Sequence, residues 1–562
     1  MAETSNQQIF IDLEPGSEWR FELEADENIA ARVQSPNPVF INSDELPPVT
    51  WYPLLRHLKS SIYAPSYAKL EVSALPISQY TSTSTTQPQL VALHLALERQ
   101  RILAKRHISG GPSNGQGYSN GTQPITRGPR VMVLGPPSSG KTTVVKNLIN
   151  MALSSGMGWS VGVAGLDPAS PANLIPGSLS LSTPSDPLPT HHLAHPLGSP
   201  PGSVPSSSTS ADVSTLGWWF GHLEPTTRGT DVWRKLVTSV GEAWTKRCDK
   251  DVNALASGLI VDTSSAFINP MLGTRKDDPK ARYSLVAQAI DTFSIDTLVV
   301  IGHEKLTIDL ERLLSPRGVR VIRFPKSPGA VDLDDAAREI AHAQQVRAYF
   351  YGEPSIPREF EKLMGRMTVA EAGFSPYSFQ IGWDTLTVLR VGEENAAPST
   401  ALPLGSSRIL SPTRLTRVDP SGPAHVTRLL NTVLAIVAID KQDRIPKIKP
   451  EATTDNIKIE TQSTEAVDVK IENPVDNEDG QPAEEGEGEQ EEEAGDAQEQ
   501  EDAEDEDEVP YIEEVGWREV LGFIVITGID HQKKKYTVLA PSPGRLPSTV
   551  ALAGSIEWVD TE

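Results

Sequence analysis

The chain has very little cysteine: Cys248 is the only one among its 562 residues. A single thiol cannot form an intramolecular disulfide, which is typical of proteins of a reducing compartment, the cytosol or the nucleus. Apolar runs are also short, and none approaches the ~18 residues that a membrane-spanning helix needs. Residues 1–11 carry neither a basic n-region nor an apolar core. We therefore expect no secretory signal and no association with a membrane.

Negative charge is abundant but unevenly distributed. The formal net charge is −24, and residues 484–508 alone contribute 16 acidic side chains and no basic one. Residues 441–508 are polar, then strongly acidic, with almost no aromatics, so they cannot bury enough apolar surface to offset chain entropy. We predict a disordered acidic insert at 441–508. Because the rest of the chain is only mildly acidic, its charge does not exclude a local basic groove.

The first part of the chain indicates a small β domain. Short runs of alternating apolar and polar residues extend from residue 8 to about residue 90. Leu90 to Lys105 has helical spacing. We predict an N-terminal β domain at residues 1–104, followed by a Gly-, Ser- and Asn-rich flexible linker at 105–129.

From residue 130 the pattern changes to alternating strands and helices. Such alternation predicts a parallel sheet with helices on both faces, here spanning residues 130–352. A Ser- and Pro-rich stretch at 182–215 indicates a loop insert. Short strands return in a small β-rich C-terminal domain at 353–440 and 509–562, which the acidic insert divides. The predicted strands of the central domain are 130–134, 159–166, 257–262, 296–301 and 319–324, and its predicted helices are 143–155, 231–247, 280–293 and 304–314.

One motif in the central domain determines a ligand class. Residues 135–143 read GPPSSGKTT and contain the phosphate-binding pattern G-x-x-x-x-G-K-[ST] between a predicted strand and a predicted helix. Backbone N–H groups of such a loop, together with the positive end of the following helix, cradle phosphate oxygens. Lys141 is placed to reach the β- and γ-phosphates, and the Thr142 hydroxyl to hold Mg²⁺. The motif predicts binding of a nucleoside triphosphate, and it does not by itself predict turnover.

A phosphate loop needs a carboxylate to complete the Mg²⁺ shell, and two aspartates are candidates. Asp167 follows the strand-like run 161–166, and Asp262 follows Leu259-Ile260-Val261. Ligands of open α/β sheets lie at the carboxyl ends of the strands, so both are suitable. Either aspartate could instead only cap a turn. Asp167 could also deprotonate an incoming hydroxyl group.

Arginines near a phosphate-transfer site can neutralise developing charge. Arg338 and Arg347 lie on a helical stretch that follows Lys326-Ser327-Pro328-Gly329. Solvated helix charges are the simpler interpretation of both residues.

Several segments in a fixed order carry a family resemblance. They are LALERQR at 95–101, GPRVMVLGP at 128–136, Asp167 with IPGS at 175–178, FPKS at 324–327, YFYG at 349–352, and GFIVIT at 522–527 with YTVLAP at 536–541. Over about residues 8–390 and 515–562 the chain resembles the ATP-binding subunit of the pre-mRNA cleavage and polyadenylation factor. In fungi this subunit belongs to cleavage factor IA, and it is related to the polynucleotide 5′-hydroxyl kinases.

The resemblance implies an α/β fold with a central P-loop NTPase domain flanked by N- and C-terminal β-rich domains. It implies that the N-terminal domain holds the adenine end of ATP through Glu18 and Lys59. The implied phosphate contacts are Ser138, Ser139, Gly140, Lys141, Thr142 and Thr143.

The chain departs from the active kinases of the family at three places. Their strand-end Asp is followed by Gly-Gln, whereas Pro168-Ala169-Ser170 follow Asp167, and Ser264-Ser265 stand where they carry Gly-Trp. Of their two lid arginines, the second matches Arg338, but the first falls on Leu333. Losing one such arginine can cost on the order of 10³-fold in rate. These departures favour ATP binding without kinase activity.

The favoured hypothesis is a nuclear assembly subunit that holds ATP and Mg²⁺ as a structural ligand. By resemblance, its partners are the scaffold subunit that contacts RNA polymerase II, other cleavage and polyadenylation subunits and, indirectly, pre-mRNA. The alternative is an active polynucleotide 5′-hydroxyl kinase with Asp167 as base and Arg338 as stabiliser. A GTPase-like switch is disfavoured because no Asn-Lys-x-Asp segment is evident.

Overall fold

The computed structural model of the chain describes residues 8–110, 126–170, 174–188, 190, 215–226, 229–274, 281–352, 354, 356–364, 375–392, 412–418, 429–445, 509–541, 543 and 545–560. The chain forms two compact units, Met1–Asp440 with Glu513–Glu562, and Lys441–Ile512. Most of the predicted insert 441–508 and of the predicted linker 105–129 lies outside the described residues. In the small unit, the Ile512 N–H donates to Asp443 O at 3.0 Å. Within the described ranges, no helix has the length and apolar content to cross a membrane.

Two antiparallel sheets form the N-terminal domain. Their orders are β1-β8-β3-β6 and β5-β4-β7-β2-β9. Side chains of a strand point alternately to its two faces, so Trp19 and Phe21 of β2 lie in the core between the sheets, whereas Glu18 and Arg20 lie on the opposite face. The strands are β1 Ile9–Leu13, β2 Ser17–Glu22, β3 Ile29–Val33, β4 Phe40–Ile41, β5 Asp44–Glu45, β6 Tyr52–Leu54, β7 Lys59–Ala64, β8 Ala68–Val72 and β9 Ser78–Ser82.

Helix α1, Gln87–Ile108, connects this sandwich to the rest of the chain. It extends beyond Lys105, so the predicted linker begins too early: its first residues are helical. The apolar face with Leu90, Leu93 and Leu97 packs on the core of the central domain. Arg101 is buried there and donates from Nε to Ser257 O at 2.9 Å. The last element of the predicted N-terminal domain is thus held by the central domain.

A seven-stranded sheet of order β13-β12-β11-β14-β10-β15-β16 forms the central domain. The five strands from β11 to β16 in this order are parallel, as predicted. The inner four are largely apolar and buried, as expected of parallel strands covered on both faces, whereas the edge strand β16 carries exposed Arg320 and Arg323. The sheet is mixed, however, because β12 and β13 add an antiparallel edge. The strands are β10 Arg130–Leu134, β11 Gly162–Leu166, β12 Ser178–Ser182, β13 Thr215–Trp219, β14 Leu259–Thr263, β15 Thr297–Ile301 and β16 Arg320–Phe324.

Sequence reasoning missed β12 and β13. The stretch Ser178-Leu179-Ser180-Leu181-Ser182 alternates, but its serines are buried as well as its leucines. The predicted loop insert 182–215 starts at the last residue of β12 and ends at the first residue of β13, and residues 191–214 lie outside the described part. The helices of the central domain are α2 Lys141–Leu153, α3 Thr230–Lys250, α4 Val252–Ser257, α5 Ser284–Phe293, α6 Glu304–Leu314 and α7 Asp335–Tyr351.

The C-terminal domain is a seven-stranded sheet of order β17-β22-β21-β20-β23-β18-β19. Strands β20 and β21, which flank the predicted acidic insert in sequence, are antiparallel neighbours. A short helix, α8 Glu361–Met364, precedes the sheet. The strands are β17 Tyr377–Gly382, β18 Thr387–Val391, β19 Leu415–Arg417, β20 Thr432–Val437, β21 Val520–Asp530, β22 Lys535–Ala540 and β23 Val550–Glu557.

Helix α7 joins the C-terminal domain to the central domain. The hydroxyl of Tyr349 accepts the Phe523 N–H at 3.0 Å, and burial raises its pKa to about 12. Trp558 Nε1 donates to Ala343 O at 3.2 Å. Gly221, which follows β13, and Gly554 of β23 also meet, so closely that a Cβ on Gly554 would lie 2.3 Å from Gly221 O.

We predict that Gly554→Ala destabilises the protein by about 1–3 kcal/mol, because the methyl group would meet backbone that cannot move aside. Denaturant unfolding measures this change. The matched control is Gly382→Ala, whose new methyl group would have its nearest neighbour at 3.4 Å. Equal stability of the two variants would contradict the close approach.

Candidate functional site

The phosphate loop lies between β10 and α2. Ser138 and Gly140 both have positive φ, 52° and 86°, which turns the loop back on itself ahead of the helix. At Gly135 a Cβ would lie 2.6 Å from Ser139 Oγ and 3.2 Å from Ile301 O. Gly140 therefore suits the positive φ of the loop, and Gly135 suits the close approach of its neighbours. Both also leave room for a phosphate group near the backbone.

The first turn of α2 presents the Lys141 and Thr142 side chains of the motif. Lys141 is buried, and its Nζ donates to Pro136 O at 3.2 Å across the loop. Thr142 Oγ1 donates to Asp262 Oδ2 at 2.6 Å. This last bond brings together two of the predicted Mg²⁺ ligands.

Asp262 is the last residue but one of β14, which pairs with β10, the strand that leads into the phosphate loop. Its side chain is fully buried, and its Oδ1 has no hydrogen-bond partner among the described residues. Burial raises the pKa of this carboxyl, and the Thr142 hydrogen bond and Lys141 oppose the rise. A buried carboxylate oxygen without a partner is costly unless a cation or water satisfies it. Hard oxygen donors of this kind suit Mg²⁺, so the residues present fit the predicted ion.

Asp167 lies at the end of the neighbouring strand β11 and close enough to Asp262 for their charges to interact. Burial raises the pKa of Asp167 to about 7, the charge of Asp262 adds to the rise, and Lys141 opposes it. Its Oδ1 accepts the Ala169 N–H at 3.2 Å. Two buried carboxyls cannot both ionise without a cation nearby. The structure brings together both predicted candidates and leaves both as possible Mg²⁺ ligands.

Helix α7 reaches the phosphate loop with its amino-terminal end. Ser138 Oγ accepts two hydrogen bonds, from Arg338 Nη2 at 3.1 Å and from the Leu333 N–H at 3.2 Å. Arg347, the other arginine singled out in the sequence, instead pairs with Asp560 and lies over the Tyr351 ring. Arg338 therefore contacts the phosphate loop, whereas Arg347 forms part of the contact between α7 and the C-terminal domain.

Sequence reasoning missed His342. Its Nε2 lies 2.6 Å from Ala169 O and must donate, because a carbonyl only accepts. Burial lowers the pKa of this imidazole. The contact ties α7 to the residues that follow Asp167. The signal that could have found it is the spacing of four from Arg338, which places both side chains on one face of a helix.

Glu18 and Lys59 lie on one face of the β2–β7 ladder, because Glu22 is paired with Lys59 and Glu18 with Tyr63. Glu18 is buried and accepts hydrogen bonds from Arg20 Nε at 3.0 Å and from the Thr85 hydroxyl. Lys59 Nζ donates to Glu22 Oε2 at 2.7 Å and is partly exposed. Their contact with adenine stays a prediction.

Comparison with family models covers most of the chain. The model described as mRNA cleavage and polyadenylation factor CLP1 P-loop matches residues 135–352. The model described as N-terminal beta-sandwich domain of polyadenylation factor matches residues 12–104. Pre-mRNA cleavage complex II protein Clp1 matches residues 374–457 and 498–560. An mRNA cleavage and polyadenylation factor CLP1 from Cryptococcus neoformans var. neoformans serotype D (strain JEC21) is 59% identical over 553 residues, 98% of each chain.

The chain belongs to the CLP1 family of mRNA cleavage and polyadenylation factors. This confirms the resemblance found in the sequence. A CLP1-family relative from Danio rerio, named Polyribonucleotide 5′-hydroxyl-kinase Clp1, is 24% identical and covers 98% of this chain and 94% of its own length. A solved structure, described as showing the interface between Pcf11p and Clp1p and the basis for ATP loss in a point mutant, aligns with this chain. The TM-score is 0.66 and the sequence identity is 19%. It covers 99% of this chain and all of the other, and it confirms the predicted fold.

We predict that Asp262→Asn weakens Mg²⁺-dependent ATP binding by at least about tenfold, because a carboxylate ligand of the ion is lost. Titration calorimetry with ATP, in Mg²⁺ and in a chelator, measures the effect, which should vanish in the chelator. The matched control is Asp291→Asn, at an exposed aspartate paired with Arg317. An unchanged Mg²⁺ dependence would exclude Asp262 as a ligand.

A second prediction concerns pH. The pKa of Asp167 is raised on folding, so the native protein holds a proton that the unfolded chain releases above about pH 4. Stability from this group is therefore present at low pH and declines as pH rises toward about 7. Asp167→Asn should become more stable relative to the parent, by up to ~1.4 kcal/mol per pH unit, as pH rises from 5 to 7. Nucleotide-free unfolding at several pH values tests this, and a pH-independent difference would contradict the raised pKa.

Proposed function

We propose that the chain is the ATP-binding subunit of a nuclear factor that cleaves pre-mRNA before polyadenylation, with ATP and Mg²⁺ as structural ligands. The observation that supports it is a contrast within one site. The phosphate loop and the Thr142–Asp262 pair are complete, whereas the lid offers the loop one arginine, Arg338, and Leu333 only through its backbone N–H.

A structural role for ATP has a physical basis. A ligand that binds only the closed arrangement of the domains stabilises it by RT ln(1 + [L]/Kd), roughly 4 kcal/mol at a thousandfold excess. The phosphate loop contacts α7, and α7 contacts the C-terminal domain. By our prediction, Glu18 and Lys59 of the N-terminal domain contact the adenine end. Bound ATP would therefore hold three domains together without being consumed.

The partners we propose follow from the family. The solved relatives include a complex of Clp1p with Pcf11p. We propose that a scaffold subunit of this kind binds the present chain and contacts RNA polymerase II, and that other cleavage and polyadenylation subunits join it on pre-mRNA. The ATP-bound subunit would then serve assembly of the complex rather than chemistry.

The second candidate function is RNA 5′-hydroxyl phosphorylation. One observation favours it: a carboxyl with a pKa of about 7 at the end of β11 is suited to act as a general base near neutral pH. In that function Asp167 would take the proton of the acceptor hydroxyl, and Lys141 and Arg338 would stabilise the transferring phosphoryl group.

Two measurements on the purified full chain separate these functions. We expect the protein to carry about one unhydrolysed ATP per chain, seen by chromatography of the acid-released nucleotide, and to transfer no labelled phosphate to 5′-hydroxyl RNA. Lys141→Ala should lose the bound nucleotide, because the cation facing the β- and γ-phosphates is gone. Transfer to RNA that disappears in Lys141→Ala would overturn the structural role. Absence of ATP uptake by the folded parent would overturn nucleotide binding itself.

A further inference from the structure

Arg20 is buried on the polar face of the N-terminal domain. Strands β2, β7 and β9 share this face, which carries Glu18, Arg20 and Glu22 with their cross-strand neighbours. Glu18 and Arg20 are only 4% and 6% exposed, although they point away from the apolar core of the sandwich. Something outside the N-terminal sandwich must therefore cover them.

The guanidinium group of Arg20 links three segments of the N-terminal domain. Its Nε donates to Glu18 Oε2 at 3.0 Å, its Nη1 to Tyr80 OH at 3.4 Å, and its Nη2 to Ser84 O. The cation also lies over the Tyr80 ring, 5.6 Å from its centroid. The planar guanidinium reaches all three acceptors with its fixed donors, whereas the ammonium group of a lysine could reach only some of them.

Part of the cover is the segment that follows β9, with Ser84 and Thr85, and part comes from the central domain. A Cβ built on Gly329 would lie 2.5 Å from Arg20 Nε and 2.8 Å from its Cδ, so the backbone at Gly329 packs directly on the arginine. Gly329 belongs to residues 325–334, the bridging loop, which connects β16 to α7. Because the guanidinium is buried and held by its hydrogen bonds, it cannot easily move away from a larger residue.

The bridging loop continues from Gly329 to the phosphate loop. Its turn is held by a hydrogen bond from the Gly329 N–H to Ser327 Oγ at 3.2 Å and by an ion pair between Lys326 and Asp332 at 3.1 Å. Four residues after Gly329, the Leu333 N–H donates to Ser138 Oγ. A short, internally bonded segment therefore separates the Arg20 contact from the loop that would hold the phosphates.

We propose that Arg20 is a positioning residue for the nucleoside end of the ligand. It holds the Glu18 carboxylate in place and, through Gly329, fixes the distance between the N-terminal domain and the phosphate loop. This inference rests on the proposed ATP binding and on the adenine contact predicted for Glu18, and it adds the role of Arg20 and its contact with Gly329. Its effect should fall on the nucleoside end and not on the phosphates.

The first test is Gly329→Ala in the full-length chain, with ATP and inorganic tripolyphosphate as probes in Mg²⁺. The new methyl group should displace Arg20, and with it the Glu18 carboxylate, and weaken ATP binding by about tenfold or more. Binding of tripolyphosphate, which has no nucleoside, should stay within about twofold of the parent. Gly382→Ala, at a roomy position of β17, is the matched control and should bind both probes as the parent does.

The second test is a double-mutant cycle. Arg20→Ala should weaken ATP and spare tripolyphosphate, and adding Gly329→Ala to it should cost nothing more, because the methyl group then has no guanidinium to meet. Arg20→Lys should fail to restore ATP binding, since an ammonium group cannot reach Glu18, Tyr80 and Ser84 together. If Gly329→Ala does not fold, Arg20→Lys alone decides the matter.

The outcomes distinguish this inference from the function on which it rests. If the parent binds neither ATP nor tripolyphosphate, the proposed nucleotide binding fails. If the parent binds ATP and either Arg20→Lys or Gly329→Ala binds it equally well, the positioning role is wrong. A loss that affects ATP and tripolyphosphate to the same extent would also overturn it, because it would indicate a general structural defect.

Discussion

The hydrogen bond between Thr142 and Asp262 is the interaction on which the site depends. It ties the first turn of α2 to the end of β14, and so fixes the loop between β10 and α2 from the side that faces Asp262. It also leaves the other oxygen of a buried carboxylate without a partner among the described residues. The fold thereby keeps Asp262 Oδ1, a strong acceptor, at the position where a phosphate-bound cation would lie. The backbone N–H groups of the phosphate loop would attract the phosphate itself.

Helix α7 links this site to the rest of the large unit. Its amino-terminal end reaches Ser138, its middle reaches Ala169, and its carboxyl-terminal end is held by Phe523 and Trp558. The helix is thus held at both ends and in its middle in the described arrangement. The same contacts suit a protein whose domains are to be held in one arrangement.

Local patterns predicted the parts of the site that depend on local geometry. The phosphate loop was evident because strand, loop and helix are contiguous, and Asp262 because carboxyl ends of parallel strands meet at one edge. The antiparallel strand β12 was missed because buried serines interrupt its apolar pattern, and β13 because Thr215 and Gly217 interrupt its own. His342 and Arg20 were missed for another reason. Their roles arise from Ala169 and Gly329, which are far away in sequence, and no periodicity records such contacts.

The adjacency of β20 and β21 has a consequence for how this family can change. The two strands pair side by side, so the chain that leaves one and enters the other begins and ends at the same place on the sheet. Closing a longer excursion there costs only about 0.6 kcal/mol for each doubling of its length. A change in the length of that connection should therefore cost the sheet little stability, because the pairing of β20 with β21 is unaffected.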